Sequence, residues 1–310
     1  MDALISVIIS THGGCDFLLR AIASVQAQTY PHREILVVDD NGAGSALQQK
    51  TEALLQPLIA DSAIRYLVHT ENRGGSAARN TGAAQAKGEY LAFLDDDDEY
   101  FPDFLSRHMR AWESLDKCYA ITYCGHELCR SGVLLYPEYA KKSGKRLYEV
   151  LCHTITLCTT SLVIRSDVFR EIGGFDESFR RHQDWEMTAR VAARYLIFAV
   201  REIGFRRNLE YRNSPRDPAL FRSYRLYYLK KMSSCLEALT PRRQRLVVRF
   251  HQMDIAMQYL KTGGLSAFFR TWHEFRIGPY GLSYLSRILW LRVHRQLKKH
   301  FYLLQKEEMT

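Results

Sequence analysis

Hydrophobic residues in the first hundred positions follow two alternating patterns. Continuous aliphatic and β-branched runs predict strands at 4–10, 34–40, 64–69 and 89–98, of which the first two are expected to be buried in the sheet. Between these runs, apolar residues recur mainly at helical spacing, and the predicted helices lie at about 18–25, 47–58 and 76–88. Strand and helix therefore alternate, which predicts an α/β fold with a mostly parallel sheet and helices on both of its faces.

The middle of the chain is less regular, and its end is helical. The pattern predicts a hairpin turning at 130–132, a helix at 184–194 and a strand at 195–202. A further strand is predicted at 159–166 and a short helix at 168–175. After Arg216 every apolar spacing is helical. We therefore divide the chain into an α/β domain, 1–216, with halves of about 1–100 and 101–216, and a helical C-terminal region, 217–310.

Charge divides the chain in nearly the same place. Of the net charge of +9, residues 1–219 carry −3 and residues 220–310 carry +12. A basic segment can face nucleic acid, anionic lipid or solvent. Because the sequence contains no zinc-finger, RNP or homeodomain-like motif, we expect no nucleic-acid partner.

Composition and cysteine usage indicate the compartment. The chain is 46% hydrophobic and 25% charged, which is typical of globular proteins, and no apolar run reaches the roughly 18 residues of a membrane span. The first ten residues lack the basic start of a signal peptide. Seven cysteines without a C-x-x-C pair favour free thiols in a reducing compartment. We therefore expect a cytoplasmic protein.

One amphipathic helix is predicted near the end of the chain, between Gly281 and Leu304. Its apolar face comprises Leu282, Leu285, Leu289, Val293, Leu297 and Phe301. Its other side carries Arg287, Arg292, Arg295, Lys298 and Lys299, with Trp290 close to the apolar edge. Such a helix can lie on an anionic membrane surface, or it can pack on the domain with its basic face in solvent.

Four consecutive aspartates, Asp95 to Asp98, follow the fourth predicted strand. Adjacent carboxylates repel one another unless a positive group lies among them, and a divalent cation such as Mg²⁺ or Mn²⁺ takes such ligands together with substrate phosphates. The alternative is a solvated acidic loop at the start of the next helix. Because ligands of parallel sheets bind beyond the carboxyl ends of the strands, we favour a binding site.

Three other segments have both a structural and a functional interpretation. Asp39 and Asp40, after the second strand, can bind a base or a ribose, or can form a turn into Asn41. The glycine-rich segment 71–82 can bind an anion at a helix N-terminus, or can be a plain loop capped at Ser76. Asp184, read alone, is a helix cap.

Taken together, four motifs resemble the family 2 glycosyltransferases. They are SVIISTHGG (6–14), LLRAIASVQAQTYPHREILVVDDNG (18–42), NRGGSAARNTGAAQAKGEYLAFLDDDDEYFPDFL (72–105) and GGFDESFRRHQDWEM (173–187). The resemblance covers about residues 4–205. It implies a GT-A fold and an enzyme that transfers a sugar from a nucleotide-diphosphate sugar, with a UDP-sugar as the first choice, to a hydroxyl of a glycan or lipid-linked acceptor. It also implies inversion at the sugar, dependence on Mn²⁺ or Mg²⁺, and a role in bacterial surface polysaccharides.

The resemblance also implies roles for individual residues. Asp184 matches the base that deprotonates the acceptor, and Asp97 matches the metal ligand of the family's D-x-D motif. The residues implied to bind the donor are Thr11, Asp39, Asp40, Arg79, Asp95 and Asp96. Asn213 and Ser214 stand where many relatives have a histidine, which leaves a third protein ligand of the metal unassigned.

Two further features refine the expected function. The Q-x-x-R-W signature of processive relatives is absent, so we expect one sugar to be added per acceptor. Since many relatives extend lipid-linked glycans, the resemblance favours attachment of the C-terminal helix to the inner face of the cell membrane. The alternative functions are a nucleotidyltransferase and a non-catalytic sugar-nucleotide-binding protein.

Overall fold

A nine-stranded sheet forms the centre of the part described by the computed structural model, which comprises residues 2–13, 17–209 and 217–278. Its strands are β1 (Ile5–Thr11), β2 (Arg33–Asp39), β3 (Arg65–Val68), β4 (Tyr90–Asp95), β5 (Glu99–Tyr100), β6 (Tyr119–Arg130), β7 (Val133–Glu138), β8 (Leu162–Arg165) and β9 (Leu196–Asn208). They lie in the order β3-β2-β1-β4-β8-β6-β9-β5, and β7 pairs with β6. Strands β1 to β4 are parallel, so their carboxyl ends share one edge of the sheet.

Helices pack on this sheet, and further helices come after its last strand along the chain. They are α1 (Leu18–Gln26), α2 (Ala46–Ala60), α3 (Gly75–Gln85), α4 (Phe104–Trp112), α5 (Leu147–Leu151), α6 (Ser166–Glu171), α7 (Gln183–Arg194), α8 (Pro218–Lys231), α9 (Ser233–Glu237) and α10 (Pro241–Glu274). The predicted α/β fold, with its four parallel strands, is therefore confirmed. The prediction missed α4 and α5.

Alternate residues of the buried strands form two cores, one on each face of the sheet. Ile8 of β1 packs in the core that contains helices α3 and α7, whereas Val7 and Ile9 pack in the core that contains α1 and α4. This arrangement follows from the two-residue period of a strand, which points successive side chains to opposite faces. Residues buried on both sides explain the continuous apolar runs of the sequence.

The close approach of α3 to β1 places the helix N-terminus beside the strand ends. At Gly82 an added Cβ would lie 2.5 Å from Cγ2 of Ile8, so only glycine allows this spacing. Helix α3 begins at Gly75 and not after a cap at Ser76, because Gly74 is the residue that precedes it, with φ of +91°. The two glycines thus form the entry into the helix.

Strands β4 and β9 end three or more residues away from their predicted ends. Strand β4 ends at Asp95 and not at Asp98, since the amide of Asp98 donates to the carbonyl of Asp95 (3.0 Å) and closes a turn. Strand β9 continues to Asn208, six residues beyond the predicted end, because it pairs along β6 and with β5. Both differences move polar side chains to the same edge of the sheet.

The C-terminal helices pack against the core that contains α7. Tyr228 and Met232 of this region are buried with Met187 of α7, and α10 bends at Gly264. Within residues 2–13, 17–209 and 217–278, no helix is long and apolar enough to cross a membrane. The predicted helix at 281–304 and the positions Asn213 and Ser214 lie outside the described residues.

Candidate active site

A cleft of about 240 Å³ opens where the carboxyl ends of β1, β2 and β4 meet the N-terminus of α3. It is lined by Ser10, Thr11, His12, Asp40, Gly75, Ala78, Arg79, Asp95, Asp96 and Asp97. Five of the sequence-predicted donor residues and the predicted metal ligand therefore lie together. This position agrees with the general rule for open α/β sheets, in which ligands bind beyond the strand ends.

Arg79 connects the end of β4 to the start of α7. Its Nη2 donates to Oδ1 of Asp95 (2.7 Å), at the end of β4, and its Nη1 donates to Oε1 of Gln183 (2.8 Å), the first residue of α7. Only 12% of the Arg79 side chain is exposed, so the pair is shielded from solvent. A Cβ on Gly75 would lie 3.1 Å from Nη1 of Arg79, so the glycine makes room for this contact. The guanidinium therefore presents positive charge beside the carboxylates.

Three of the four consecutive aspartates form one cluster. Carboxylate oxygens of Asp95, Asp97 and Asp98 all lie within 4.8 Å of one another. Hard divalent cations such as Mg²⁺ and Mn²⁺ prefer such oxygen ligands. Because Asp95 and Asp97 line the cleft, the cluster fits a cation that is shared with a substrate phosphate.

Asp98 is fixed on the protein side of this cluster. It is buried, and its carboxylate accepts from Oγ1 of Thr160 (2.8 Å) and from the amide of Asn208 (3.0 Å). The side chain of Asn208 also donates to the carbonyl of Asp97 (2.8 Å). The end of β9 therefore orients the aspartate turn, a contribution that the sequence analysis missed.

Asp96 points away from the other three aspartates towards β1. Its Oδ2 accepts from Oγ1 of Thr11 (2.6 Å). Burial, with smaller contributions from Asp97 and Asp95, raises the pKa of Asp96 to about 7, although the bond from Thr11 opposes the shift. Thr11 and Asp96 thus form one polar unit on the β1 side of the cleft.

Asp39 and Asp40 both shape the backbone. Asp39 is fully buried, does not line the cleft, and accepts from the amide of Asn41 (2.8 Å) and the hydroxyl of Tyr66 (2.6 Å). Asp40 lines the cleft, and its carboxylate accepts from the amides of Arg73 (2.8 Å) and Gly74 (2.7 Å). The predicted turn into Asn41 is therefore made by Asp39, whereas Asp40 holds the loop before α3 and lines the cleft.

Asp184 lies at the second position of α7, immediately after Gln183. Its Oδ1 accepts from the amide of Trp185 (3.0 Å), as a residue at a helix N-terminus can. Burial raises the pKa of Asp184 above the usual aspartate value; Arg207 and Arg79 oppose this shift, and Asp95 adds to it. Two of these electrostatic neighbours, Arg79 and Asp95, line the cleft, so the charge of Asp184 is coupled to the charges there.

Arg207 is a charged residue of the site that the sequence analysis did not identify. It lies near the end of β9, and its buried Nε has no hydrogen-bond partner among the described residues. Its charge favours the ionised form of Asp184. The strand was expected to end at residue 202, and therefore no pattern brought Arg207 to the site.

Comparison with known proteins gives a consistent result. The family model described as Glycosyl transferase family 2 matches residues 6–173. An uncharacterized glycosyltransferase of Rickettsia typhi is 34% identical over 191 residues, which are 59% of this chain and 57% of that protein. The putative colanic acid biosynthesis glycosyl transferase WcaA of Escherichia coli is 29% identical over 200 residues, or 63% of this chain and 68% of that protein. The match thus spans little more than half the length of the Rickettsia relative.

Solved structures share the fold at low sequence identity. S. aureus TarS in complex with UDP-GlcNAc has a TM-score of 0.58 at 14% identity, over 88% of this chain and 91% of that one. The mannosyltransferase PcManGT from Pyrobaculum calidifontis, in complex with GDP-Man and Mn²⁺, has a TM-score of 0.60 at 15% identity, over 94% and 81%. The fold is that of the GT-A glycosyltransferases. Because the family model matches more than half of the sequence, the chain belongs to the family 2 glycosyltransferases.

Proposed function

We propose that this glycosyltransferase moves one hexosyl group from a nucleotide-diphosphate sugar to a hydroxyl of a glycan or lipid-linked acceptor, with inversion. The observation that supports it most directly is the bridge made by Arg79, which joins Asp95 to the first turn of the helix that carries Asp184. This bridge connects the carboxylates proposed for the donor to the helix that carries the carboxylate proposed for the acceptor. The structures of similar fold contain UDP-GlcNAc and GDP-Man, and we take a UDP-sugar as the first donor to test.

The donor diphosphate would bind at the aspartate cluster. Asp97 is the proposed metal ligand, with Asp95 and Asp98 beside it, and Mn²⁺ or Mg²⁺ when bound supplies positive charge for the diphosphate. Arg79 contributes a fixed positive charge to the same region. Preorganised charge of this kind stabilises a leaving group because the protein does not have to rearrange as charge develops.

The nucleoside would bind on the other side of the cleft. We propose Thr11, Asp96 and Asp40 as contacts of the ribose and base, since all three line the cleft. Asp39 keeps its proposed place in this group, and the bonds from Asn41 and Tyr66 indicate that it acts by fixing the loop after β2. We therefore propose that Thr11, Asp96 and Asp40 contact the nucleoside, whereas Asp39 supports the loop.

Asp184 is the proposed general base. Its carboxylate would accept the proton of the acceptor hydroxyl while the acceptor oxygen forms a bond to the anomeric carbon. The bond from that carbon to the phosphate oxygen breaks, and its electron pair leaves with the nucleoside diphosphate. Attack opposite the leaving group inverts the anomeric centre. A raised pKa makes Asp184 a stronger base than an exposed aspartate, and such assistance is typically worth about 10²–10⁴-fold.

Localisation and domain organisation are part of the same proposal. We infer a cytoplasmic enzyme with an α/β domain at 1–216 and a region predicted to be helical at 217–310, attached to the inner face of the cell membrane by the basic helix predicted at 281–304. The relatives named for polysaccharide biosynthesis support a glycan or lipid-linked acceptor. An attached enzyme would meet a lipid-linked acceptor at the membrane surface.

A donor panel tests the proposal. The full chain is incubated with UDP- and GDP-sugars and Mn²⁺, with and without a bacterial lipid extract as the acceptor source. Release of nucleoside diphosphate with a labelled glycan product is the expected result. Release of pyrophosphate from a nucleoside triphosphate and a sugar phosphate would identify a nucleotidyltransferase. Donor binding without turnover in both Asp184→Asn and the unmodified chain would identify a binding protein.

A further inference from the structure

The residue after the proposed base lies in a partly buried cluster of rings. Trp185 stacks on the imidazole of His182, with centroids 3.8 Å apart and planes within 6°. The ring of His153, from the segment after α5, lies 3.5 Å from the ring of Trp185. The first turn of α7 is therefore packed against residues from a different part of the chain.

Arg225 of α8 joins this cluster to the C-terminal helices. Its Cζ lies 4.5 Å from the ring centroid of Trp185, its Nη1 donates to Nδ1 of His153 (2.9 Å), and its Nη2 donates to Oδ2 of Asp254 of α10. Only 5% of Arg225 is exposed. A planar guanidinium can stack on a ring and form two directed bonds at once, which an ammonium cannot do.

The charge of Arg225 also contributes to the low pKa of two neighbouring histidines. Burial, followed by the charge of Arg225, lowers the pKa of His182 to about 2 and that of His153 well below its usual value. An arginine has only donors, so Nδ1 of His153 is the acceptor and its Nε2 carries the proton. The two rings beside Trp185 are therefore neutral at physiological pH, and one of them has a defined tautomer.

The cluster contains strained backbone and unpaired polar groups, which destabilise the folded chain and which apolar packing would avoid. His153 and His182 both have left-handed backbones, with φ of +46° and +62°. Nε of Arg225 and Nε2 of His153 are buried without hydrogen-bond partners among the described residues. Backbone strain and unpaired buried groups tend to occur together at functional sites, where the surrounding structure maintains them.

We propose that Arg225, held by Asp254, is a positioning residue for Asp184: it fixes Trp185, and through Trp185 the first turn of α7, so that the carboxylate of Asp184 has one orientation towards the acceptor. This inference rests on the proposed role of Asp184 as the base. It gives the C-terminal helices a part in the reaction, although they lie outside the residues matched by the family model.

The test compares Arg225→Lys with a matched pair on the same two helices. Arg222 of α8 binds Glu274 of α10 at a more exposed position, so Arg222→Lys changes an arginine–carboxylate contact between the same two helices and keeps the contact of Arg225 with Trp185. Arg225→Lys should lower kcat by about 10- to 100-fold, because small misplacements of a reacting group have effects of this size. The donor KM and the calorimetric donor Kd should stay unchanged, and Arg222→Lys should resemble the unmodified chain.

Asp254→Asn provides a second variant, since it keeps the arginine but removes the charge that holds it, at a side chain that is 24% exposed. It should lower kcat in the same direction by a smaller factor, with donor affinity unchanged. Thermal unfolding of each variant reports the folded fraction. Wild-type kcat in both Arg225→Lys and Asp254→Asn would overturn the inference.

A double-mutant cycle separates positioning from general support of the structure. If Arg225 acts through Asp184, Arg225→Lys should have no further effect on the residual turnover of Asp184→Asn. An equal loss of turnover in both backgrounds would overturn the positioning role while leaving Asp184 as the base. Wild-type turnover in Asp184→Asn alone would overturn the proposed function, and this inference with it.

Discussion

The guanidinium of Arg79 lies 2.7 Å from the carboxylate of Asp95, and both side chains are largely buried at the edge of the cleft. The two residues come from α3 and β4, which the sheet brings together at the carboxyl ends of its strands. The same guanidinium binds Gln183, at the start of the helix that carries Asp184. This contact connects the aspartates of the cleft to the first turn of α7.

The first prediction concerns this bridge. Arg79→Gln should weaken donor binding and lower kcat/KM by about 10- to 1000-fold, since one preorganised charge is removed from the diphosphate region. Isothermal titration with a UDP-sugar and Mn²⁺ measures the change in affinity. Arg194→Gln, which removes an exposed pair with Glu171, is the control and should have no effect on either quantity. Unchanged affinity and turnover in Arg79→Gln would exclude Arg79 from the donor site.

The second prediction concerns the metal. Asp97→Asn should abolish most of the transfer while the chain stays folded, because the substitution keeps the size of a side chain that lines the cleft and removes the charge that would bind the metal. Treatment of the unmodified chain with EDTA should abolish transfer as well, and added Mn²⁺ or Mg²⁺ should restore it. Asp61→Asn, at an exposed position after α2, serves as the matched control. Full activity in excess EDTA would refute the metal assignment.

The third prediction concerns the base. Asp184→Asn should lower kcat by about 10²–10⁴-fold and leave the donor Kd unchanged, because the residue acts on the acceptor hydroxyl. Asp176→Asn, in the loop before α7, removes a carboxylate bonded to Lys231 and should have little effect on kcat. Loss of donor binding in Asp184→Asn would instead assign the residue to the donor site.

The pH profile provides an independent check of Asp184. A base must be ionised, so kcat should fall as the pH falls through the pKa of Asp184. Burial raises that pKa, and the acid limb should therefore lie above the ordinary aspartate value of about 4. An acid limb at or below the ordinary value would contradict the assignment.

The fourth prediction concerns Arg207, which favours the ionised form of Asp184. Removing its charge in Arg207→Gln should raise the pKa of Asp184 further, and the acid limb of the kcat profile should move to higher pH. The neighbouring Arg206 pairs with Glu127 and is about 39% exposed, so Arg206→Gln is the control and should keep the wild-type limb. A limb that does not move in Arg207→Gln would show that Arg207 does not act on the base.

The fifth prediction concerns the basic helix predicted at 281–304. The full chain should float with vesicles containing anionic lipid at low salt and should be released at high salt, since each basic residue near such a surface contributes about 1 kcal/mol. A chain shortened at Gly281 should stay unbound, and so should the full chain with neutral vesicles. Equal recovery in the unbound fraction under all these conditions would refute membrane attachment.

Much of the fold could be predicted from local patterns. Strands β1 and β2 were predicted because a strand buried on both faces needs an unbroken apolar run. Helix α1 was predicted from the spacing of Leu18, Ile22 and Val25. The alternation of these elements was sufficient to place Asp95 and Asp97 at the carboxyl edge of a parallel sheet. Each of these inferences depends only on neighbours along the chain.

The bounds and partners at that edge depend on the tertiary structure. Asp98 belongs to the same run of four aspartates, but it turns inward because Thr160 and Asn208 bind it, and these residues are 62 and 110 positions away along the chain. Arg207 affects the pKa of Asp184 because β9 continues past its predicted end and pairs with β5. No local periodicity encodes pairing with a strand of two residues.

By itself, the sequence determined which residue types stand at the strand ends, because burial of alternating elements imposes a pattern that can be read along the chain. Only the tertiary structure decided which of those side chains face the cleft and which bind the protein: Asp40 and Asp97 line the cleft, whereas Asp39 is bonded to Tyr66. It also brought Arg225 against Trp185, 40 positions earlier in the chain. The physical reason is that hydrogen bonds and ion pairs act over a few ångströms in space, so the orientation of a carboxylate depends on residues that only the folded chain brings within reach.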